Sequence, residues 1–84
     1  MSVLHAINLH HLYYFWCVAK DGNLTRTAKQ LHVAQSALSS QIRQLESQLG
    51  TPLFVRAQRR LTLTESGEIA RRYADEIFTA SGEL

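Results

Sequence analysis

Two helical patterns separated by only three residues constrain this chain more than any other feature. Apolar residues recur at helical spacing from about Leu24 to Leu31, and again in the stretch from Gln35 to about Leu49. Between them "HVA", residues 32–34, interrupts the pattern, and Gly50 ends the later helix. Two helices joined by a tight turn are the core of a helix-turn-helix unit, which we therefore predict.

Further patterns flank this unit on both sides. Asn8 and Gly22 are suited to begin and end a first helix, whose apolar residues extend nearly all round it. Such a helix is usually buried on more than one side, by a partner chain or by a second element. After Pro52, the β-prone runs "LFV" and "LTL" bracket the basic segment "RAQRR", residues 56–60, and predict a hairpin. Thr64 is the predicted N-cap of a last helix.

The last helix carries two adjacent apolar stripes. One contains Ile69, Tyr73, Ile77, Ala80 and Leu84, and the other contains Ala70, Ala74, Phe78 and Ser81. We expect one stripe to pack on the domain, and the small residues of the other to let a second helix approach closely. The predicted dimer interface consists of Ala70, Tyr73, Ala74, Ile77 and Phe78.

Composition and charge argue against a membrane-spanning or secreted protein and are compatible with binding to a polyanion. The 84 residues make one domain, and no apolar run reaches the roughly 20 residues of a membrane span. No signal peptide is recognised at the start, and the lone Cys17 rules out an internal disulfide and fits a reducing cytoplasm. Residues 1–60 carry a net charge of +5, from seven basic and two acidic residues, whereas residues 61–84 carry −3. Random surface charge can give such a division, but it also suits a basic body that meets a polyanion.

The helix after the tight turn has an unusual outer face. Near its start it carries Gln35, Ser36, Ser39 and Ser40, where a solvated helix normally carries Glu and Lys. A helix in the DNA major groove must bring short polar side chains to base edges. Glutamine can bond adenine, serine can donate or accept, and glutamate would repel the phosphates. The outer face therefore predicts direct base readout.

Catalytic and metal-binding patterns are not found in the sequence. The adjacent His10 and His11 point about 100° apart on a helix, so they do not chelate as an i, i+4 pair would. Cys17 is better explained as a structural thiol than as a nucleophile. Neither a G-x-S-x-G elbow nor a phosphate-binding glycine loop occurs. We predict no enzyme activity, no cofactor and no metal.

Two other functions are compatible with the predicted fold. A protein-interaction domain of the same shape would need an apolar or acidic outer face on its third helix. The outer face here consists of Ser36, Ser40, Arg43 and Ser47. The two apolar stripes of the last helix would also be expected in a small helical module that serves only for assembly. That property is compatible with DNA binding, because a symmetric dimer reads two half-sites of a pseudo-palindrome.

The sequence "GNLTRTAKQLHVAQSALSSQIRQLESQLGTPLFVR…LTLTESGE", from Gly22 to Glu68, resembles the DNA-binding domain of LysR-type transcriptional regulators. "LHHLYYFWCVAKDG" and "RRYADEIF" are similar to the branch that regulates sodium–proton antiporter genes. The resemblance implies a mainly α winged helix-turn-helix: a three-helix core, a two-stranded β-hairpin wing and a long C-terminal linker helix. The third helix would read the major groove, the wing would lie along the minor groove, and the last helix would pair with its counterpart in a homodimer.

The resemblance also implies roles for individual residues. Base readout would fall to Gln35, Ser36, Ser39 and Ser40. Thr25 and Arg26 would approach phosphate, and Arg56 would be directed at the minor groove. As basic residues, Arg43, Arg59 and Arg60 are also expected to contact phosphates, independently of the resemblance. Three residues depart from the family pattern: Ala34 replaces a capping Ser or Thr, Ser40 replaces a frequent Arg, and Thr27 replaces an Ala. We expect Gln35 or Ser36 to cap the third helix instead, weaker readout at Ser40, and an effect of Thr27 on packing.

The resemblance predicts how the chain is divided. Residues 1–64 would form the DNA-binding domain, and residues 65–84 the linker and dimerisation helix. Members of the family also carry a C-terminal effector-binding domain that this sequence lacks. We therefore expect a fragment of a cytoplasmic regulator whose partner is double-stranded DNA. A small-molecule effector would act only through the missing domain, and the full-length parent could form a tetramer.

Overall fold

The computed structural model describes residues 8–57 and 60–82. These residues form four helices and one two-stranded antiparallel hairpin. The elements in chain order are α1 (Leu9–Asp21), α2 (Leu24–Leu31), α3 (Gln35–Leu49), β1 (Phe54–Ala57), β2 (Arg60–Leu63) and α4 (Glu65–Gly82). The order matches the one predicted from the sequence, including the helix-turn-helix formed by α2 and α3.

Local capping chemistry fixes the ends of the first helices. The side chain of Asn8 accepts a hydrogen bond from the backbone N–H of His10 and begins α1, which ends at Gly22 in the left-handed conformation, with φ of 75°. Asn23 caps α2. The tight turn then depends on His32, which adopts a left-handed φ of 59° although it is not glycine. The sequence pattern marked the turn but gave no sign of this backbone conformation.

The first helix lies at the centre of the domain. It packs against α2, α3, α4 and β2, and its residues Leu12, Phe15 and Val18 are buried. The rest of the core is formed by Ala28, Leu38, Ile42, Leu45, Leu53 and Ala74. Elements of the same chain therefore cover most of the apolar surface of α1, while Leu9 and Tyr13 remain exposed.

The start of α4 is fastened to the segment that leads into the hairpin. Thr64 is its N-cap, as predicted: its hydroxyl accepts from the N–H of Gly67 at 2.9 Å and donates to the carbonyl of Pro52 at 2.7 Å. The N–H of Thr64 also donates to the carbonyl of Leu53 at 3.0 Å. That same carbonyl oxygen lies so close to Gly67 that a Cβ there would overlap it. Only glycine lets α4 pass the chain at this point.

Further along, α4 is held against α1 by a polar and aromatic seam. The indole N–H of Trp16 donates to Asp75 at 2.6 Å, and the Lys20 ammonium lies 3.8 Å from the centroid of the same indole. The rings of Trp16 and Phe78 also have centroids 5.1 Å apart. The seam fixes which face of α4 points into the domain.

The face of α4 that packs into the domain includes residues that were predicted to form the dimer interface. Ala74 is 0% exposed and belongs to the core, while Ala70 and Phe78 pack against that core. Ala70 and Ala74 are used for close packing within the chain, so the prediction that these two small residues face a partner is wrong. Among residues 65–79 of α4, the large apolar side chains that remain exposed are Ile69, Tyr73 and Ile77. Of the predicted interface residues, Tyr73 and Ile77 lie on this exposed face.

Candidate nucleic-acid interface

The helix α3 is anchored by its inner face and presents a polar outer face. Leu38, Ile42 and Leu45 are buried, whereas Arg43 and Ser47 are exposed on the other side. Among the predicted readout residues, Gln35 and Ser36 are exposed in the first turn, and Ser39 and Ser40 are half-buried. Because a buried inner face holds the helix rigidly, its outer groups are presented in a fixed orientation.

The first turn of α3 has no side-chain cap. Ala34 occupies the N-cap position, and no side-chain hydrogen bond closes this end of the helix. The expectation that Gln35 or Ser36 would cap it is wrong. The side chain of Gln35 is instead turned towards α2, where its Oε1 accepts a hydrogen bond from the Thr25 hydroxyl at 3.0 Å.

A groove of about 340 Å³ separates α3 from the hairpin. Its polar rim has Ser39 and Arg43 on the α3 side and Arg56 on the hairpin side. Glu46 also reaches this groove, but its carboxylate accepts the backbone N–H of Leu53 at 2.8 Å. Three predicted DNA-contacting residues from two elements therefore line one concave surface.

A second groove of about 180 Å³ continues from the first along the start of α2 and α3. It is lined by Thr25 and Gln35 on the helical side and by Arg56 and Arg60 on the hairpin. Arg56 is shared by both grooves, so the two form one continuous surface around the wing base. Six of the predicted site residues line this surface: Thr25, Gln35, Ser39, Arg43, Arg56 and Arg60.

The hairpin strands reach further into the basic segment than the β-prone runs indicate. Arg56 belongs to β1, opposite Leu61, and Arg60 belongs to β2, opposite Ala57. Strand pairing therefore holds the backbone of both arginines, which the sequence assigned to a tip between the strands. The predicted phosphate residue Arg59 lies outside the described residues.

Arg26 is engaged within the chain. Its Nε donates to both carboxylate oxygens of Asp21 at 3.1 Å, and this bond holds the pKa of Asp21 below its ordinary value. The carboxylate therefore stays charged at neutral pH, and the pair is lost as the pH falls through the lowered pKa. Asp21 also accepts from Thr27, whose side chain is 1% exposed and donates to the carbonyl of Asn23. Thr27 thus contributes to packing, as expected.

Residues 8–57 and 60–82 show none of the features of a metal site, a reactive thiol or a membrane span. No group of three or more His, Cys, Asp or Glu side chains comes together there to hold a metal. Burial raises the pKa of the half-buried Cys17 thiol, which disfavours the nucleophilic thiolate. Among the described helices, none has the length and apolar character needed to cross a membrane.

Sequence comparison identifies relatives over most of the chain. The family model described as "Bacterial regulatory helix-turn-helix protein, lysR family" matches residues 9–68. The transcriptional activator protein NhaR of Escherichia coli is 45% identical over 84 residues, which are 100% of this chain and 28% of NhaR. HcaR, the Hca operon transcriptional activator of the same organism, is 52% identical over 62 residues, or 74% of this chain and 21% of HcaR. The chain spans about a quarter of the length of these relatives.

Solved structures share the fold. The BenM_DBD/catB site 1 DNA complex gives a TM-score of 0.84 at 34% identity, covering 92% of this chain and 86% of the other. The CbnR_DBD–DNA complex gives 0.82 at 35% identity, covering 92% and 88%. The probable transcriptional regulator PA0477 from Pseudomonas aeruginosa gives 0.88 at 26% identity, covering 98% and 27%. These likenesses confirm the mainly helical winged helix-turn-helix fold.

Proposed function

Since this chain belongs to the LysR family of bacterial helix-turn-helix regulators, we propose that it binds duplex DNA sequence-specifically as a homodimer. In this proposal α3 enters the major groove and the wing lies at the adjacent minor groove. Residues 1–64 provide the DNA contacts, and residues 65–84 provide the linker and dimerisation helix. A domain that binds operator DNA acts in the cytoplasm, where the lone Cys17 stays reduced.

The observation that carries the proposal is the continuous surface between α3 and the wing. The first turn of α3 offers the uncharged donors and acceptors of Gln35 and Ser36, and Arg56 stands across the groove on the wing. Such polar groups suit base edges, while a cation suits the negative potential of a minor groove. Arg26, Arg43 and Arg60 are proposed to contact phosphates around this surface, and Arg59, which lies outside the described residues, is proposed to do so as well. Because those contacts release counterions, the affinity should fall steeply with salt.

The proposed dimer interface is the exposed face of α4. Ile69, Tyr73 and Ile77 follow one another at four-residue spacing on this face. A recess there is lined by Ile69, Tyr73, Arg72 and Glu76, so opposite charges lie beside the apolar strip. A two-fold interface is self-complementary, and the two charges can pair across it when two copies of α4 pack together. A dimer of this kind presents two copies of α3 to two half-sites.

The experiment that tests the proposal is fluorescence anisotropy across a salt series. One duplex is randomised, and the other is the best sequence selected from the random pool. We expect the selected site to bind roughly 10³-fold or more tightly than random DNA, with a steep salt slope. Weak binding without sequence preference, or none, would contradict the proposal and favour a protein-interaction role.

The Gln35→Ala variant should lose discrimination at one base pair in each half-site. We expect the ratio between the operator and a variant operator with that pair changed to fall by about tenfold, which lies within the range for one good base contact. Affinity for random DNA should change little, because a base contact adds nothing to phosphate binding. Gln30→Ala, which changes an exposed glutamine on α2, is the matched control. An unchanged ratio would remove Gln35 from the readout set.

The Asp21→Asn variant should bind all DNA sequences more tightly. The substitution releases Arg26 from its pair and removes a negative charge beside a proposed phosphate contact. We expect the affinity for both operator and random DNA to rise by about threefold at low salt, and the gain to shrink as salt increases. Glu68→Gln makes the same change of charge on α4 and should have a smaller effect. Equal effects of the two substitutions would mean that only net charge matters and that Arg26 has no special place at the phosphates.

A further inference from the structure

The hydrogen bond between Thr25 and Gln35 connects the two helices of the helix-turn-helix at the DNA-facing surface. Thr25 lies in the first turn of α2, and Gln35 is the first residue of α3. The Thr25 hydroxyl donates to the Gln35 carbonyl oxygen at 3.0 Å, and both residues line the groove that Arg56 and Arg60 complete. The bond is not needed to close either helix, because Asn23 caps α2 and α3 begins without a side-chain cap.

The bond has a defined effect on what Gln35 can offer. An exposed glutamine is flexible and can present its amide in either sense. A donor held at Oε1 sets the orientation of the amide, so that both amide hydrogens stay available together with one carbonyl lone pair. A side chain already held in one orientation loses less conformational entropy when it binds a base. The hydroxyl of Thr25 therefore affects base recognition indirectly, by fixing the orientation of the Gln35 amide.

We propose that Thr25 is a positioning residue that orients Gln35 for base readout. Discrimination at the base pair that Gln35 reads then depends on the Thr25 hydroxyl, although this hydroxyl does not itself contact a base. The inference rests on the proposed DNA-binding function, and it differs from the phosphate role that the family resemblance assigns to Thr25. A phosphate contact supports binding to every sequence, whereas a positioning contact supports discrimination at the base pair that Gln35 reads.

The test compares four variants with the unsubstituted chain: Thr25→Val, Thr25→Ser, Gln35→Ala and the double variant Thr25→Val/Gln35→Ala. Valine keeps the shape of threonine and removes the donor, while serine keeps the hydroxyl. Dissociation constants are measured by anisotropy for the selected operator, for operators with single base pairs changed, and for random DNA. Circular dichroism verifies that each variant is folded.

We expect Thr25→Val to reduce discrimination by about threefold to tenfold at the same base pair as Gln35→Ala, the range for one hydrogen bond. Its affinity for random DNA should stay within about twofold of the unsubstituted chain. The double variant should discriminate no worse than Gln35→Ala alone, because Thr25 then has nothing to orient. Thr25→Ser should keep the discrimination.

Three results would overturn the inference. Equal weakening on all sequences, with a shallower salt slope, would identify Thr25 as a phosphate contact only. An additive double variant, or an effect at another base pair, would show that Thr25 acts independently of Gln35. If the unsubstituted chain has no sequence preference, the proposed function fails and this inference fails with it. A failure of the inference alone leaves the preference of the unsubstituted chain intact.

Discussion

The Gly67→Ala variant is expected to lose about 3 kcal/mol of unfolding free energy, at the upper end of the range for overpacking. A Cβ at this position would overlap the carbonyl oxygen of Leu53. That carbonyl cannot move away easily, because it accepts the N–H of Thr64, and the N–H of Leu53 donates to Glu46. Leu53 is itself fully buried. The loss is large for a domain whose total stability is typically about 5–15 kcal/mol.

Urea denaturation followed by circular dichroism measures this effect. The control is Thr79→Ala, an exposed position of the same helix, where alanine should be neutral or slightly stabilising because of its higher helix propensity. At Gly67, replacing glycine by alanine raises the helix propensity by about 1 kcal/mol, which offsets part of the stability lost through the overlap. A Gly67→Ala variant as stable as the control would mean that α4 and Leu53 separate at little cost.

The Tyr73→Arg variant should keep its fold and lose cooperative binding to paired half-sites. Tyr73 is 46% exposed and lies at the middle of the proposed dimer face, so a charge there is tolerated in the single chain. In a two-fold interface the substitution appears twice, and two like charges would be brought together away from water. We expect the advantage of a two-half-site duplex over a one-half-site duplex to fall by about 100-fold or more.

Anisotropy on the two duplexes measures this advantage, and Thr79→Arg is the matched control, since it adds the same charge to an exposed position of α4 outside the apolar strip. Ala74→Arg provides a contrast. Because Ala74 is fully buried, that variant should unfold the domain, with no separate effect on dimerisation. If Tyr73→Arg retains the full advantage of two half-sites, the exposed face of α4 is not the interface.

The sequence predicts the elements well because their ends depend on local chemistry. Asn8, Gly22 and Thr64 act on neighbouring backbone groups, so their roles can be inferred from type and position alone. The buried face of α3 follows from periodicity for the same reason. The left-handed conformation of His32 escapes such inference, since the residue type does not favour it.

The features that the sequence could not predict depend on contacts between residues far apart in the chain. Both stripes of α4 are apolar, and contacts with α1, such as those of Trp16 with Asp75 and Phe78, determine that the stripe of Ala74 turns inward. In the site, the helical pattern and the family resemblance predicted candidate DNA-facing residues, but not the hydrogen bonds between them. Thr25 and Gln35 are ten positions apart and meet only because His32 turns the chain.

The seam between α1 and α4 also gives the molecule an optical reporter. Trp16 is the only tryptophan in the chain, and it lies between the carboxylate of Asp75, the ammonium of Lys20 and the ring of Phe78. Indole emission responds to nearby charges and to exposure to water. A change in the angle of α4 would therefore alter the fluorescence of Trp16 without any added label. Movement of the proposed dimerisation helix could thus be followed while the helix-turn-helix remains bound to DNA.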